Sequence, residues 1–529
     1  MNKSKQTKEM HKSNFTGYGF NINIGSVLTA VIAIIGFVIL VVINYSTILE
    51  STTKLRDGML LVFEKPMLLA MFFCLVAVIA ISISPLGKIR IGGDEAKPDF
   101  KRFSWYSMLF GAGMGIGFMF WGVAEPLFHN DYTPLFSSSS NVESALATTF
   151  FHWGLFPWAL YALVSLALAF YAYNMKLPLA PRSMFYPLLK DRIYGLTGDI
   201  IDGLAVVVTL FSLASSLGFG ALQVNAGFNY LFDVAISSNV QIIIIIVVTG
   251  FATISVVSGV DKGVRILSEA NIILAATLGT LFFILGSTTS IISNGISALG
   301  NYLTNLISVN FNIVTGSEAA NAAAGYDWAA TWTLFYWAWW IGWALFVGMF
   351  IAKISKGRSV RDFLLSVTVV PTIIAILWFS IFGTVAIDTN ALVGGELFNA
   401  VSIDESVSLY ALVASMDVSQ VIKIILDVIS ITLIVSFFVT SSDSGSLVVD
   451  GLTSGGAVNT PTKQKIFWTS MQAVLAIALI IVGGESALDI IQMVLIITAS
   501  PFSIIIILII LLLIYQLILY KKHIEKPTK

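Results

Sequence analysis

Trp332-Thr333-Leu334-Phe335-Tyr336-Trp337-Ala338-Trp339-Trp340-Ile341-Gly342-Trp343 is the stretch on which the reading of this chain turns, and it continues through Phe346 to Phe350. Half of the twelve tryptophans lie between Trp328 and Trp343. At about 100° per residue, Trp332, Tyr336, Trp339, Trp340, Trp343, Phe346 and Phe350 share roughly half of a helix circumference. Indole faces offer a quaternary ammonium an electron-rich surface without a fixed anion. Aromatic belts at a membrane surface place one or two Trp or Tyr at a helix end. This run covers about three turns or more, too long for a belt alone. It predicts a ligand-facing wall, with buried packing as the alternative.

Around that stretch the composition sets the class. The chain has 529 residues, of which 11% are charged, and its mean hydropathy is +0.88. Repeated apolar spans of about 20 residues predict an all-α polytopic membrane protein. The first apolar segment is too long for a signal-peptide core, lacks an evident cleavage site and reads as a true span. Cys74 is the lone cysteine, which excludes an intrachain disulfide and argues against a thiol metal site.

Twelve spans can be drawn, near 24–44, 66–86, 104–128, 144–174, 199–231, 240–258, 264–286, 328–355, 361–383, 419–445, 465–482 and 485–520. Segments 293–312 and 390–416 read as extramembrane, with short helices at the outer surface. With these spans, twenty-five of the twenty-nine Lys and Arg residues fall on one side. Only Lys54, Arg56, Lys65 and Lys423 fall on the other. The positive-inside rule then places both termini in the cytoplasm. The tail 1–23 reads as polar and disordered. The basic tail 521–529 is suited to anionic lipid.

Span three carries Gly111-Ala112-Gly113-Met114-Gly115-Ile116-Gly117, followed by Trp121-Gly122-Val123-Ala124-Glu125-Pro126. Glycine at every second position does not match the every-fourth spacing of a helix-packing face. It predicts an unwound backbone whose N–H groups suit a carboxylate and whose C=O groups suit a sodium ion. Span four carries Phe151-His152-Trp153-Gly154-Leu155-Phe156-Pro157-Trp158 and Tyr161. Pro157 is expected to disturb that helix, and His152 reads as a packed histidine rather than a proton carrier. Ser212, Ser215 and Ser216 of span five and Thr440-Ser441-Ser442-Asp443-Ser444 of span ten are hydroxyl clusters. Such clusters either bond back to their own helix or ligate sodium. Spans three to seven and eight to twelve form two five-helix units, the pattern of inverted-repeat transporters.

Together these motifs resemble the betaine/choline/carnitine transporter family over residues 20 to 515, and in pattern its sodium-coupled glycine betaine transporters. The resemblance rests on Gly113-Met114-Gly115-Ile116-Gly117 with Glu125-Pro126, on Phe151-His152-Trp153-Gly154 with Trp158, and on Asp261-Lys262-Gly263-Val264-Arg265. It rests also on the Trp332–Trp343 block running into Gly357-Arg358-Ser359-Val360-Arg361-Asp362-Phe363, and on Thr440-Ser441-Ser442-Asp443-Ser444. It implies a LeuT-like 5+5 inverted-repeat core behind two N-terminal helices, in a homotrimer.

The implied organisation is a tail over 1–23, two helices over 24–103 and a first repeat over 104–286. An extracellular connection over 287–327, a second repeat over 328–520 and a tail over 521–529 follow. By the same resemblance Trp153, Trp158, Tyr161 and Trp340 form an aromatic cage, and the backbone of Ala112, Met114 and Ile116 meets the substrate carboxylate. Trp339, Trp343, Phe346 and Phe350 line the inward path. One sodium site draws on Gly111, Met114, Phe437, Thr440 and Ser441, and a possible second on Ser212, Ser216 and Phe346. Choline-specific relatives tend to carry Asp at the position of Gly117, so glycine suits a zwitterion such as glycine betaine. Intact Thr440 and a span five without a cation favour sodium coupling. Leu345 replaces a frequent family proline, leaving Gly342 and Gly348 to permit any break in span eight.

The implied protein is a plasma-membrane importer of a quaternary ammonium solute, with sodium as coupling ion, no other cofactor and no nucleic-acid partner. Choline or carnitine transport is the rival within the family, and an ion channel the rival outside it. No catalytic dyad or metal cluster is evident, since His11, His129, His152 and His523 are scattered in sequence. An enzyme is not expected.

Overall fold

A computed structural model describes all residues except 1–6, 9, 12–13, 44–47, 114, 139, 259–263, 314–317, 458–459 and 525–529. Among the expected elements, Met114, Asp261-Lys262-Gly263 and part of both tails lie outside the described residues. The chain is almost entirely helical. Its main helices are α1 (Ile24–Ile43), α2 (Ile48–Ile83), α3 (Arg102–Gly113), α4 (Gly115–Asp131), α5 (Asn141–Trp153), α6 (Leu155–Ala169) and α7 (Leu196–Phe232). They continue with α8 (Ser238–Ser258), α9 (Arg265–Leu285), α10 (Thr288–Phe311), α11 (Thr333–Ile354) and α12 (Val360–Leu392). The remainder are α13 (Glu396–Ile403), α14 (Ser408–Ser415), α15 (Gln420–Thr453), α16 (Thr462–Gly483), α17 (Ala487–Ala499) and α18 (Phe502–Ile524).

Among the described residues ten helical segments are long and apolar enough to cross a membrane. Of the expected spans, the last is divided at Ser500–Pro501 into α17 and α18, while α3 and α4 flank residue 114, which lies outside the described residues. The segment expected at 293–312 is one long helix, α10. It buries Ile291, Gly295, Ala298, Tyr302, Leu306 and Val309 at three- and four-residue intervals and exposes its other face. That is the pattern of a helix lying on a protein surface.

Helix α11 departs from a one-faced aromatic wall. Every residue from Thr333 to Ala352 is buried, so the aromatic half-circumference has no lipid-facing half opposite it. The helix also runs unbroken through Gly342 and Gly348. An added Cβ at these glycines would lie 2.6 Å from Ser212 Oγ and 3.0 Å from Val164 Cγ1. They permit close packing of α7 and α6 rather than a kink.

The expectation of a disordered N-terminal tail does not hold for its described part. Phe15–Gly17 (β1) and Phe20–Ile22 (β2) form an antiparallel hairpin. His11 Nε2 lies 2.9 Å from the Gly455 carbonyl, Asn14 Nδ2 donates to Ser454 O at 3.0 Å, and the Asn23 amide donates to Thr453 O at 2.7 Å. The Asn21 amide donates to Gln464 Oε1 at 2.7 Å. Polar side chains that looked like a solvated leader therefore satisfy carbonyls at the end of α15.

Arg182, one of the basic residues counted on the inner side, is buried, its guanidinium reaching Ser26 Oγ at 3.2 Å and Met10 Sδ at 3.4 Å. It pairs with Asp202 at 2.6 Å and Asp199 at 2.8 Å, and its pKa is raised, since those carboxylates outweigh the cost of burial. On the same face Arg90 donates to Gly357 O at 2.7 Å, Arg361 to Ser82 O at 2.6 Å and Lys521 to Pro85 O at 3.0 Å. Loops that the charge count assigns to one side thus bond to one another.

Candidate substrate site

The site is built around Gly115 and Gly117 of α4 and the break between α5 and α6. Gly115 lies so close to the Phe437 ring of α15 that a Cβ there would overlap it. At Gly117 a Cβ would come within 2.6 Å of Trp153 Cη2 and 3.3 Å of Trp339 Cη2. Glycine at both positions lets aromatic rings reach the backbone. Gly111 and Ala112 end α3, where only the backbone is described.

A break separates α5 from α6 at Gly154, not at Pro157. Pro157 is the third residue of α6, where a missing N–H costs no helical bond. Tyr302 of α10 accepts the Leu155 N–H on its hydroxyl at 2.9 Å. A Cβ on Gly154 would lie 2.5 Å from Phe150 O and 2.7 Å from the Tyr302 hydroxyl. The surface helix therefore holds the break open.

The four expected cage residues come together around this break. Trp153 meets Trp340 edge-to-face at 4.9 Å between centroids, Tyr161 meets Trp340 at 6.4 Å, and Trp158 meets Tyr161 at 5.5 Å. All four are fully buried. The Trp340 indole N–H donates to His152 O at 2.9 Å, tying α11 to the end of α5. A trimethylammonium held between two opposed rings, within about 6 Å of each centroid, needs them on the order of 8–12 Å apart. Trp153 and Trp340 are too near for that, so no such ion fits between these two rings as they stand.

Below it, Trp339 packs on Phe219 at 5.1 Å and on Trp343 at 6.4 Å. Trp343 packs on Phe346 at 5.3 Å, and the line continues to buried Phe350. The Trp343 N–H donates to Ser212 O at 3.2 Å.

The hydroxyl clusters divide by their bonding. Ser215 bonds back to Phe211 O at 2.8 Å, as membrane serines commonly do. Among the described residues the buried hydroxyls of Ser212 and Ser216 have no hydrogen-bond partner. Phe346 of the expected second sodium set reaches this region through Trp343. Thr440 donates to Ser436 O at 2.8 Å and accepts from Asn271 Nδ2 at 2.9 Å, which leaves one lone pair uncommitted. Ser441 is buried beside it, and the Phe437 ring sits against Gly115 of α4.

The largest departure from the sequence reading is Glu125. Its buried carboxyl gathers four donors. Trp153 Nε1 and the Tyr336 hydroxyl each lie 2.6 Å from Oε2, while His152 Nδ1 and His129 Nε2 lie 2.7 and 3.3 Å from Oε1. The other nitrogen of His152 meets Thr333 Oγ1 at 2.8 Å. The histidines judged scattered are thus neighbours, with ring centroids 5.5 Å apart. His152 is a packed, bonded histidine, as its setting predicts. Glu125 fixes the ring edge of one cage tryptophan, a role not assigned to it from the motif. An ionisable residue inside an apolar span, with His four residues on, was the available signal.

Comparison with known proteins agrees with this architecture. The family model described as BCCT, betaine/carnitine/choline family transporter, matches residues 26–522. A glycine betaine transporter of Vibrio parahaemolyticus is 45% identical over 82% of this chain and 81% of its own length. A glycine betaine/proline/choline/ectoine transporter of the same organism is 40% identical over 94% and 88%. A glycine betaine transporter of Acinetobacter baylyi is 39% identical over 92% and 72%. With a match spanning nearly the whole sequence, this chain belongs to the betaine/carnitine/choline transporter family and is a multi-pass membrane carrier, not an enzyme.

Proposed function

We propose that the protein imports glycine betaine across the plasma membrane, coupled to sodium, by alternating access. The observation that carries the reading is the joined set of Trp153, Trp158, Tyr161 and Trp340 against Gly117 of α4. The cage takes the trimethylammonium and the backbone near Ala112, Met114 and Ile116 takes the carboxylate. Each cation–π contact contributes about 0.5–2 kcal/mol, more when desolvated. Glu125, held against Trp153, adds negative charge on the cage side. Gly117 leaves the site without a second anion there, which suits a zwitterion and leaves Trp153 the room that a larger residue would take.

Sodium coupling is supported by the two partnerless hydroxyls of Ser212 and Ser216 and by the uncommitted lone pair of Thr440, because neutral oxygens suit that ion. Each net positive charge carried inward gains about 2.3 kcal/mol per 100 mV. The reading includes twelve spans with cytoplasmic termini, the two five-helix repeats over 104–286 and 328–520, and a homotrimer. The clustering of basic loops on one face supports that orientation.

The test is uptake of labelled glycine betaine, choline and carnitine into proteoliposomes, with and without a sodium gradient. Betaine uptake that needs sodium and saturates is expected; uptake indifferent to sodium removes the coupling. Trp340→Ala should weaken betaine binding at least tenfold, and unchanged affinity removes that residue from the site. A broader substrate range is the second reading, because relatives are named for proline, choline and ectoine as well as betaine. Competition by unlabelled choline separates the two.

A further inference from the structure

Glu125 Oε1, His129 Nε2 and His152 Nδ1 lie within 4.8 Å of one another in a fully buried cluster. We propose that these three groups form a binding site for a transition-metal dication, and that its occupation inhibits transport. Two imidazoles and one carboxylate are a set that zinc accepts, with bonds of about 2.0–2.2 Å. Ligand atoms around a tetrahedral zinc then stand roughly 3.3 Å apart. The present separations from Oε1, 2.7 and 3.3 Å, are near that spacing, so the shell forms by small side-chain shifts.

The chemistry balances without an added reagent. In the hub, Nδ1 of His152 and Nε2 of His129 carry the hydrogens shared with Glu125. Moving each proton to the other nitrogen of its ring bares both ligand atoms. For His152 that nitrogen already faces Thr333 Oγ1 at 2.8 Å, which then accepts instead of donating. A hydrogen bond on the far ring nitrogen is the support that metal-bound histidines regularly have. The Nδ1 of His129 is buried without a partner among the described residues, so no existing bond opposes its new tautomer.

A route is present. Trp328 packs on His129 at 5.5 Å and on His152 at 6.3 Å. The same residue lines a cavity of about 380 Å³ with Leu135, Phe136 and Asn305, at the end of α11 remote from the chain termini. In the orientation proposed above, this is the outer face. One indole therefore stands between the outer cavity and the cluster, in a four-residue turn, Trp328–Thr331.

Inhibition follows from charge. Oε2 of Glu125 holds Trp153 of the cage, so the substrate cation binds near a negative group. A bound dication changes the cluster from net negative to net positive in a medium of low dielectric constant, where such charges are little screened. It also ties both histidines and the Trp153 anchor into one rigid unit.

The site is tested on purified full-length protein in nanodiscs without substrate, by calorimetric titration with zinc and by the visible spectrum of added cobalt(II). One saturable equivalent and a tetrahedral cobalt spectrum are expected. His129→Gln and His152→Gln, assayed on monodisperse protein, should each weaken zinc binding at least tenfold. In right-side-out vesicles external zinc should inhibit uptake, with Trp328→Ala hastening its onset. Absence of saturable binding, or binding unchanged in both histidine variants, overturns the proposal. Metal binding is read without transport, so its failure is distinct from failure of the betaine assignment.

Discussion

Glu125 shows how a single buried carboxyl can order a cluster of hydrophobic rings. A tryptophan offers a cation its face only if its edge is held, and Trp153 is held by its N–H on Oε2. The paired donors Tyr336 and His152 come from different helices, so the one carboxyl joins α4, α5 and α11. Glu125→Gln keeps the volume and removes half of the acceptors. At least two of the four donors then face a poor partner, at about 1–3 kcal/mol for each buried group left unsatisfied. The expected outcome is a betaine KM raised at least tenfold with a smaller fall in maximal rate. Equal KM in wild type and variant would show that Trp153 keeps its place without the carboxylate. That aromatics of spans four and eight would lie together came from the family resemblance rather than from residue type alone. The hub came from neither, because three of its four donors stand 27, 28 and 211 residues from Glu125 in the chain.

At the scale of elements, the interruptions matter more than the helices. Hydropathy locates an apolar span but does not say where it stops being helical. In span four the proline drew attention to the wrong residue, since a proline in the first turn of α6 breaks nothing. The break lies at Gly154, and its support comes from α10, a surface helix whose part could not be read from span four. Tyr302→Phe removes the acceptor of the Leu155 N–H while preserving the ring. It should lower stability by about 1–2 kcal/mol, seen as a lower apparent melting temperature in detergent. If the break is also functional geometry, betaine affinity falls in parallel. A variant as stable as wild type would mean that the amide finds another acceptor.

Across the whole molecule, the partition of positive charge anticipated which loops meet, because loops confined to one face of a bilayer can bond only with one another. It did not anticipate that a polar leader would be used as structure. Asparagines and a histidine before the first span read as solvated residues, yet they complete backbone groups at the end of α15 and enclose the Arg182 pairs with Asp199 and Asp202. Polarity alone cannot separate a solvated segment from one that satisfies helix ends, because both need the same side chains. The hairpin therefore ties the end of α15, the helix that carries Thr440 and Ser441, to α16. His11, Asn14, Asn21 and Asn23 contribute four hydrogen bonds to that junction, each worth about 0.5–1.5 kcal/mol. Removal of residues 1–22 should lower the apparent melting temperature and raise modification of a cysteine placed at Gly455 by a polar maleimide, in protein whose only native thiol, Cys74, is buried. Betaine affinity should change less than twofold, since no cage residue touches the hairpin. A truncated protein that melts with the wild type and protects residue 455 equally well would reduce the hairpin to a passive covering. A large loss of affinity would instead mean that α15 needs the hairpin to hold its position.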